Sequence, residues 1–176
     1  MKPYTQKASA IWRGGHHRGG GVLTTPSAVL RKEVYTFGGD VARNGTSPPE
    51  LIAAAHAGSF SLTLANELGV AGYRPRQIDT TATVTMEDIA AGWTMTQIHL
   101  DVIANVPKVA QCDFVDVALR AKANCPISRS LNANISMRAE LSQRGPIARL
   151  LPRRNWSTTG PGILRKKGPR RNGAKN

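Results

Sequence analysis

Between Ser47 and Gly69 the chain carries one long run with no breaker except Gly58, and nearly every residue in it is small or apolar. Ser47-Pro48-Pro49-Glu50 reads as a helix start. Proline is tolerated in the first turn, where backbone N–H groups lack partners anyway, and Glu50 complements the positive helix end. Leu51 to Leu68 follows, and Gly69 stands where a C-terminal glycine cap would. Ala53, Ala54, Ala55, Ala57, Gly58, Ser59 and Ser61 allow neighbours to come close. A helix without a polar face is usually buried on several sides. The run therefore predicts a central helix with the rest of the fold arranged around it.

The flanking segments read as strands. Gln6 to Arg13 alternates loosely and ends near Trp12. The glycine-rich stretch Gly14 to Gly21 reverses the chain, and Val22–Thr25 and Glu33–Phe37 form two more short strands of an N-terminal meander. Gly38 to Pro49 is a loop by composition. Gln77 to Asp88 alternates cleanly, with Ile78, Thr80, Ala82, Val84 and Met86 on one face and Asp79, Thr81, Thr83, Thr85 and Glu87 on the other. Ala90-Ala91-Gly92 turns it into a second strand, Trp93 to Val106, with Met95, Ile98, Leu100 and Val102 nearly all on one parity. Gln111 to Asn124 is an amphipathic helix with Phe114, Val115, Ala118, Leu119 and Lys122 at helical spacing. Cys125-Pro126 breaks it, Ile127 to Leu131 forms a short helix, and Ile135 to Leu141 is a last strand.

The net charge of +13 is unevenly placed. Of the 24 Lys and Arg, ten lie in residues 144–176, which hold no Asp or Glu; the remaining 14 face 11 acidic residues, a net of +3. The division predicted is a folded domain over 1–143 and a basic, disordered tail over 144–176. The tail, with Arg153-Arg154, Arg165-Lys166-Lys167 and Arg170-Arg171, has the composition to hold a nucleic acid electrostatically, or to serve no role at all. No apolar run reaches membrane-spanning length, no secretory signal is visible at Met1 to Ala10, and two cysteines make no disulfide framework. A cytoplasmic protein without membrane contact is expected. His16-His17 has no acidic or thiol neighbour, so neither a metal nor another cofactor is expected.

Two strings carry a resemblance. Pro49-Glu50-Leu51-Ile52-Ala53-Ala54-Ala55-His56-Ala57-Gly58-Ser59-Phe60-Ser61 resembles the central-helix signature of the OsmC/Ohr family, nearer to its OsmC branch. Ala121-Lys122-Ala123-Asn124-Cys125-Pro126-Ile127-Ser128 resembles its second signature, and Ile78-Asp79-Thr80-Thr81-Ala82 its intervening strand. Order and spacing agree from about Thr5 to Leu141. The resemblance implies an OsmC-like α+β fold, with antiparallel sheets around two long central helices in an intertwined homodimer. It also implies a thiol peroxidase. One cysteine thiolate attacks the O–O bond of an organic hydroperoxide and becomes a sulfenic acid, a second closes a disulfide, and an external dithiol resets the pair. Carried over, the attacking position falls on Ser59, the resolving position on Cys125 and the helix-start glutamate on Glu50. The family's activating arginine lies in the loop before the helix, which here is one residue shorter; Asp40 falls near its place and Arg43 is a shifted candidate.

Peroxide cleavage needs a soft nucleophile that ionises near neutral pH, and a serine hydroxyl is far from ionised. A chain with Ser59 at the attacking position is expected to lose the family reaction there. His56, one turn before Ser59, raises a Ser–His hydrolase as an alternative, but mid-helix N–H groups are already used and offer no oxyanion hole. The plainer expectation is that Ser59 bonds back to a carbonyl one turn earlier. Cys125 precedes Pro126 at a helix start, where a thiolate is favoured. Cys112 lies at the far end of the 111–124 helix, roughly 20 Å away, against the about 7 Å between Cα atoms that a disulfide spans. Trp12, Phe37, Phe60 and Trp93 either line an apolar pocket for a hydroperoxide or another small ligand, or pack the core. Two functions remain open: an OsmC-type peroxidase crippled at residue 59, or a non-enzymatic dimeric relative that binds a small apolar ligand or serves as a scaffold.

Overall fold

The computed structural model describes residues 3–15, 19–37 and 45–142, and these build two three-stranded sheets and three helices. The first sheet is a meander of β1 (Ser9–Arg13), β2 (Gly20–Thr24) and β3 (Arg31–Tyr35), antiparallel throughout, with Ile11 opposite Val22 and Val22 opposite Val34. β1 starts three residues later than its sequence pattern suggested, and β3 two residues earlier. The long run becomes α1 (Pro48–Val70). β4 (Gln77–Ile89), β5 (Gly92–Asn105) and β6 (Asn134–Leu141) form the second sheet, in that order, with α2 (Gln111–Asn124) and α3 (Pro126–Ser130) between β5 and β6.

α1 is held at both ends by local chemistry. The Ser47 hydroxyl accepts a hydrogen bond from the Glu50 N–H at 3.3 Å, and Pro48 and Pro49 fill the first turn. At the other end the helix passes Gly69 and stops one residue later, at Val70. Gly72 adopts φ +85°, its N–H reaches the Gly69 carbonyl at 3.1 Å, and the Tyr73 N–H reaches the Leu68 carbonyl at 2.8 Å. That pair of bonds is the Schellman cap, so Gly72 is the left-handed glycine that ends the helix.

The β4–β5 hairpin turns at Ala90 and Ala91, and Gly92 follows at φ +89°. Its register explains an irregularity in the sequence. Thr85 pairs with Gln97 and Met86 with Met95, so Thr96 is an extra residue bulged out of β5. The bulge moves Met95 onto the same face as Ile98, Leu100 and Val102, although its position in the chain has the opposite parity. β6 runs parallel to β5, with Ile98 opposite Ile135 and Leu100 opposite Met137, so this sheet is mixed where antiparallel pairing was expected. Parallel neighbours need a long crossover connection, and α2 and α3 supply it, carrying the chain back before β6 begins.

The core lies between this sheet and the helices. Ile98, Leu100, Val102 and Ala104 of β5 meet Phe60, Leu64 and Leu68 of α1 and Phe114, Val117, Ala118 and Ala121 of α2, all buried. Val115 and Leu119, expected on the packed face of α2, flank it instead, and Leu119 is half exposed. α1 departs further from expectation. It buries only the stripe His56, Phe60, Leu64 and Leu68, one side chain per turn. Ala54, Ala55 and Gly58 are exposed, as are Leu62 (75 %) and Val70 (79 %), so the single chain covers one face of a helix that has no polar face.

Candidate active site

The buried stripe of α1 starts with a polar residue, His56, and the chemistry of the fold gathers around it. Ser59 lies one turn further along α1. Cys125 is the hinge residue between α2 and α3: it closes α2 by its N–H to the Ala121 carbonyl (2.8 Å) and opens α3 by accepting the Arg129 N–H (3.0 Å). Its side chain is fully buried. The Ser59 hydroxyl sits 3.4 Å from the Cys125 sulfur. Ser128, in the first turn of α3, places its hydroxyl 2.8 Å from His56 Nε2. Ser59 therefore uses its hydroxyl on a sulfur and not on the carbonyl one turn earlier, and His56 pairs with Ser128 and not with Ser59. No Ser59–His56 dyad forms.

The surroundings tune both ionisable groups. Burial pushes the Cys125 thiol up, but hydrogen bonding, from the Ser59 hydroxyl first and then from Ser128 and the Ile127 N–H, outweighs it and brings the thiol below its ordinary value. Neither residue's N–H makes a full capping hydrogen bond to the sulfur. Burial holds His56 below the ordinary imidazole value, so the ring is neutral at pH 7. Its Nδ1 is buried without a hydrogen-bond partner among the described residues.

The remaining predicted site residues lie elsewhere. Glu50 is exposed at the start of α1 and accepts the Thr46 hydroxyl at 2.7 Å. Nine residues of helix, roughly 14 Å, separate it from Ser59, so one chain alone does not bring it to the sulfur. Asp40 and Arg43 fall outside the described residues, as do His16, His17 and the 144–176 tail. Cys112 is exposed at the start of α2, far from Cys125, and both thiols are free. The four aromatics do not share a pocket. Phe60 is in the core, Phe37 meets Trp93 edge-on at 5.5 Å, and Trp12 packs on Tyr35 at 5.4 Å. Among the described residues no group of three or more His, Cys, Asp or Glu could hold a metal ion, and no helix is long and apolar enough to cross a membrane. Sequence reasoning gave no role to Ser128. The signal available was its place three residues after a helix-opening cysteine, the spacing at which an N-cap and the first turn meet.

Residues 38–140 match the model of the OsmC-like protein family. Peroxiredoxin OsmC of Escherichia coli (strain K12) is 40 % identical over 137 residues, covering 77 % of this chain and 96 % of that one. Among solved structures, the organic hydroperoxide resistance protein OhrB of Bacillus subtilis superposes with a TM-score of 0.59 at 21 % identity, covering 79 % of this chain and 98 % of that one. A hydroperoxide resistance protein OsmC from Legionella pneumophila gives 0.60 at 20 % identity, with 81 % and 99 % covered. The chain belongs to the OsmC-like family and is a peroxiredoxin-like redox protein by that membership.

Proposed function

We propose that this chain is an OsmC-type hydroperoxide reductase disarmed at its attacking position. Ser59 stands where the family's first cysteine works, Cys125 holds the resolving place, and Glu50 is the site's helix-start glutamate. The observation that carries this reading is the 3.4 Å contact between Ser59 Oγ and Cys125 Sγ. Two thiols at these positions would need only a rotamer adjustment to form a disulfide, whose S–S bond is about 2.05 Å. A serine oxygen there has no stable equivalent of a sulfenic acid, so the family cycle has no first step. The substrate class is an organic hydroperoxide and the reductant an external dithiol, for whatever turnover remains.

The uncovered face of α1 supports a homodimer. Leu62 and Val70 are exposed beside small residues such as Ala55 and Gly58, and small side chains let a second copy of the same helix approach closely. The same face supports the second reading, in which the dimer persists as a scaffold or small-ligand binder without turnover. Residues 1–143 form the working domain, and the protein acts in the cytoplasm.

The test is stoichiometric. Wild type and Ser59→Cys, both carrying Cys112→Ser, are treated with one equivalent of cumene hydroperoxide and weighed intact. The Ser59→Cys protein loses two hydrogens as the disulfide closes, and the protein with Ser59 does not. Equal mass changes in the two would overturn the reading.

A further inference from the structure

His56 and Ser59 lie three residues apart on α1, and Cys125 and Ser128 lie three apart across the head of α3. Residues at that spacing share a helix face. The two faces meet in reverse order, like rungs of a ladder. Ser128 Oγ is 2.8 Å from His56 Nε2, and Cys125 Sγ is 3.4 Å from Ser59 Oγ. The reaction described above uses the second rung and leaves the first without a role. Little else holds α3. It has five residues, none fully buried, and only Ile127 and the following Leu131 pack in part against the core. Ser130 bonds within α3, to the Pro126 carbonyl at 2.8 Å, and Arg129 is exposed. On the other side of the ladder, His56 is fully buried, and among the described residues its Nδ1 has no partner. The cost of burying an imidazole there is offset at Nε2, by Ser128.

We propose that the His56–Ser128 bond is a clamp that docks the head of α3 on α1 and so holds Cys125 within reach of residue 59. His56 and Ser128 are positioning residues, and neither touches the reacting atoms. The hinge shows why one bond suffices. The Cys125 N–H is tied to the Ala121 carbonyl of α2 at 2.8 Å, while its carbonyl accepts the Arg129 N–H at 3.0 Å. Cys125 therefore belongs to both helices, and a tilt of α3 about this point turns the residue that carries the sulfur. Ser128 lies about 4.5 Å further along the α3 axis, at the distance where one bond resists that tilt. An apolar side chain at position 56 would fill the space, but it would not fix a direction as a hydrogen bond does.

The clamp rests on the reading above, in which positions 59 and 125 are the reactive pair, and deepens it by naming what keeps them together. Closure of a disulfide within one chain depends on how much ordering is done before the sulfurs meet. A clamped α3 has done it in advance. In the Ser59→Cys protein the exchange with glutathione measures this. Two protein thiols and one oxidised glutathione give the protein disulfide and two reduced glutathiones. One S–S bond forms as another breaks, and the two thiol protons pass to the glutathione thiols. In the chain with Ser59 the same clamp keeps the buried Cys125 sulfur shut in, and a thiol reagent reaches it when α3 opens locally.

The experiment has two arms, both in a Cys112→Ser parent. In the first, Ser59 is kept and the rate at which Cys125 reacts with dithiobis(nitrobenzoate) is measured under native conditions. Ser128→Ala and His56→Leu should each label about five- to tenfold faster, the scale of one hydrogen bond. The double variant should label no faster than either single one, because both substitutions remove the same bond; independent losses of packing would multiply. Ser128→Thr, which keeps the hydroxyl, should label like the parent. Circular dichroism checks folding, and if His56→Leu unfolds, Ser128→Ala against Ser128→Thr decides alone. In the second arm, Ser59→Cys is equilibrated in glutathione buffers. Adding Ser128→Ala should lower the equilibrium constant for closure about five- to tenfold, a shift of about 20–30 mV toward easier reduction. Equal labelling rates for the parent and Ser128→Ala, or equal potentials with and without Ser128→Ala, would overturn the clamp alone. A Ser59→Cys protein that forms no disulfide would overturn the pairing of positions 59 and 125, and the clamp with it.

Discussion

The Ser59 hydroxyl and the Cys125 sulfur stand 3.4 Å apart although 66 residues separate them in the chain. The contact exists because the buried stripe of α1 packs on α2 and α3, and Cys125 sits at the hinge where those two helices meet. On the reading proposed above, it is the geometry of a cysteine pair with one member replaced by oxygen.

The packing that places Ser59 depends on Phe60, its neighbour in sequence and a fully buried member of the α1 stripe. Phe60→Ala removes a large side chain from the layer between α1 and β5 and leaves a cavity. Chemical denaturation should show a loss of about 3–5 kcal/mol. Leu62→Ala, exposed two residues further on in the single chain, should cost far less in the folding of that chain.

Stability should also fall in mild acid. Burial holds His56 below the ordinary imidazole value. Between that lowered value and about pH 6.5 the unfolded chain binds a proton that the folded chain refuses. The stability tied to this residue is therefore fully present above about pH 6.5, and is lost as pH falls toward the folded value. Denaturation midpoints measured from pH 8 to pH 5 should fall for wild type, and less steeply for His56→Gln. Equal slopes would show that His56 is not the group responsible.

A dimer built on the open face of α1 should be sensitive to one charge. Wild type is expected to elute with the mass of two chains in size exclusion with light scattering. Leu62→Glu buries a carboxylate at the centre of that face and should shift the mass to one chain, because an unpaired buried charge costs several kcal/mol. A wild-type protein that runs as a monomer would contradict the assignment of this face.

Much of the fold could be read from the chain because local rules suffice for it. α1 announces itself by Ser47, two prolines and Glu50, and β4 by strict alternation. The errors came where a local rule has two solutions. Gly69 and Gly72 both offer a left-handed cap, and only the Tyr73-to-Leu68 bond chooses between them. Met95 breaks the parity of β5 unless Thr96 bulges, which depends on the partner strand. The direction of β6 depends on the crossover rather than on its own residues. At the site, Ser59, Cys125 and Glu50 were found through family resemblance. The Ser128–His56 bond spans 72 residues and joins two helices, so nothing local points to it.

The most direct measurement is steady-state consumption of tert-butyl hydroperoxide with a dithiol reductant, comparing wild type with Ser59→Cys. The Ser59→Cys protein should turn over at least about a hundredfold faster, the scale expected when a thiolate replaces a hydroxyl that does not ionise. Wild type consuming peroxide as fast as Ser59→Cys would contradict the claim that residue 59 is what disarms this site.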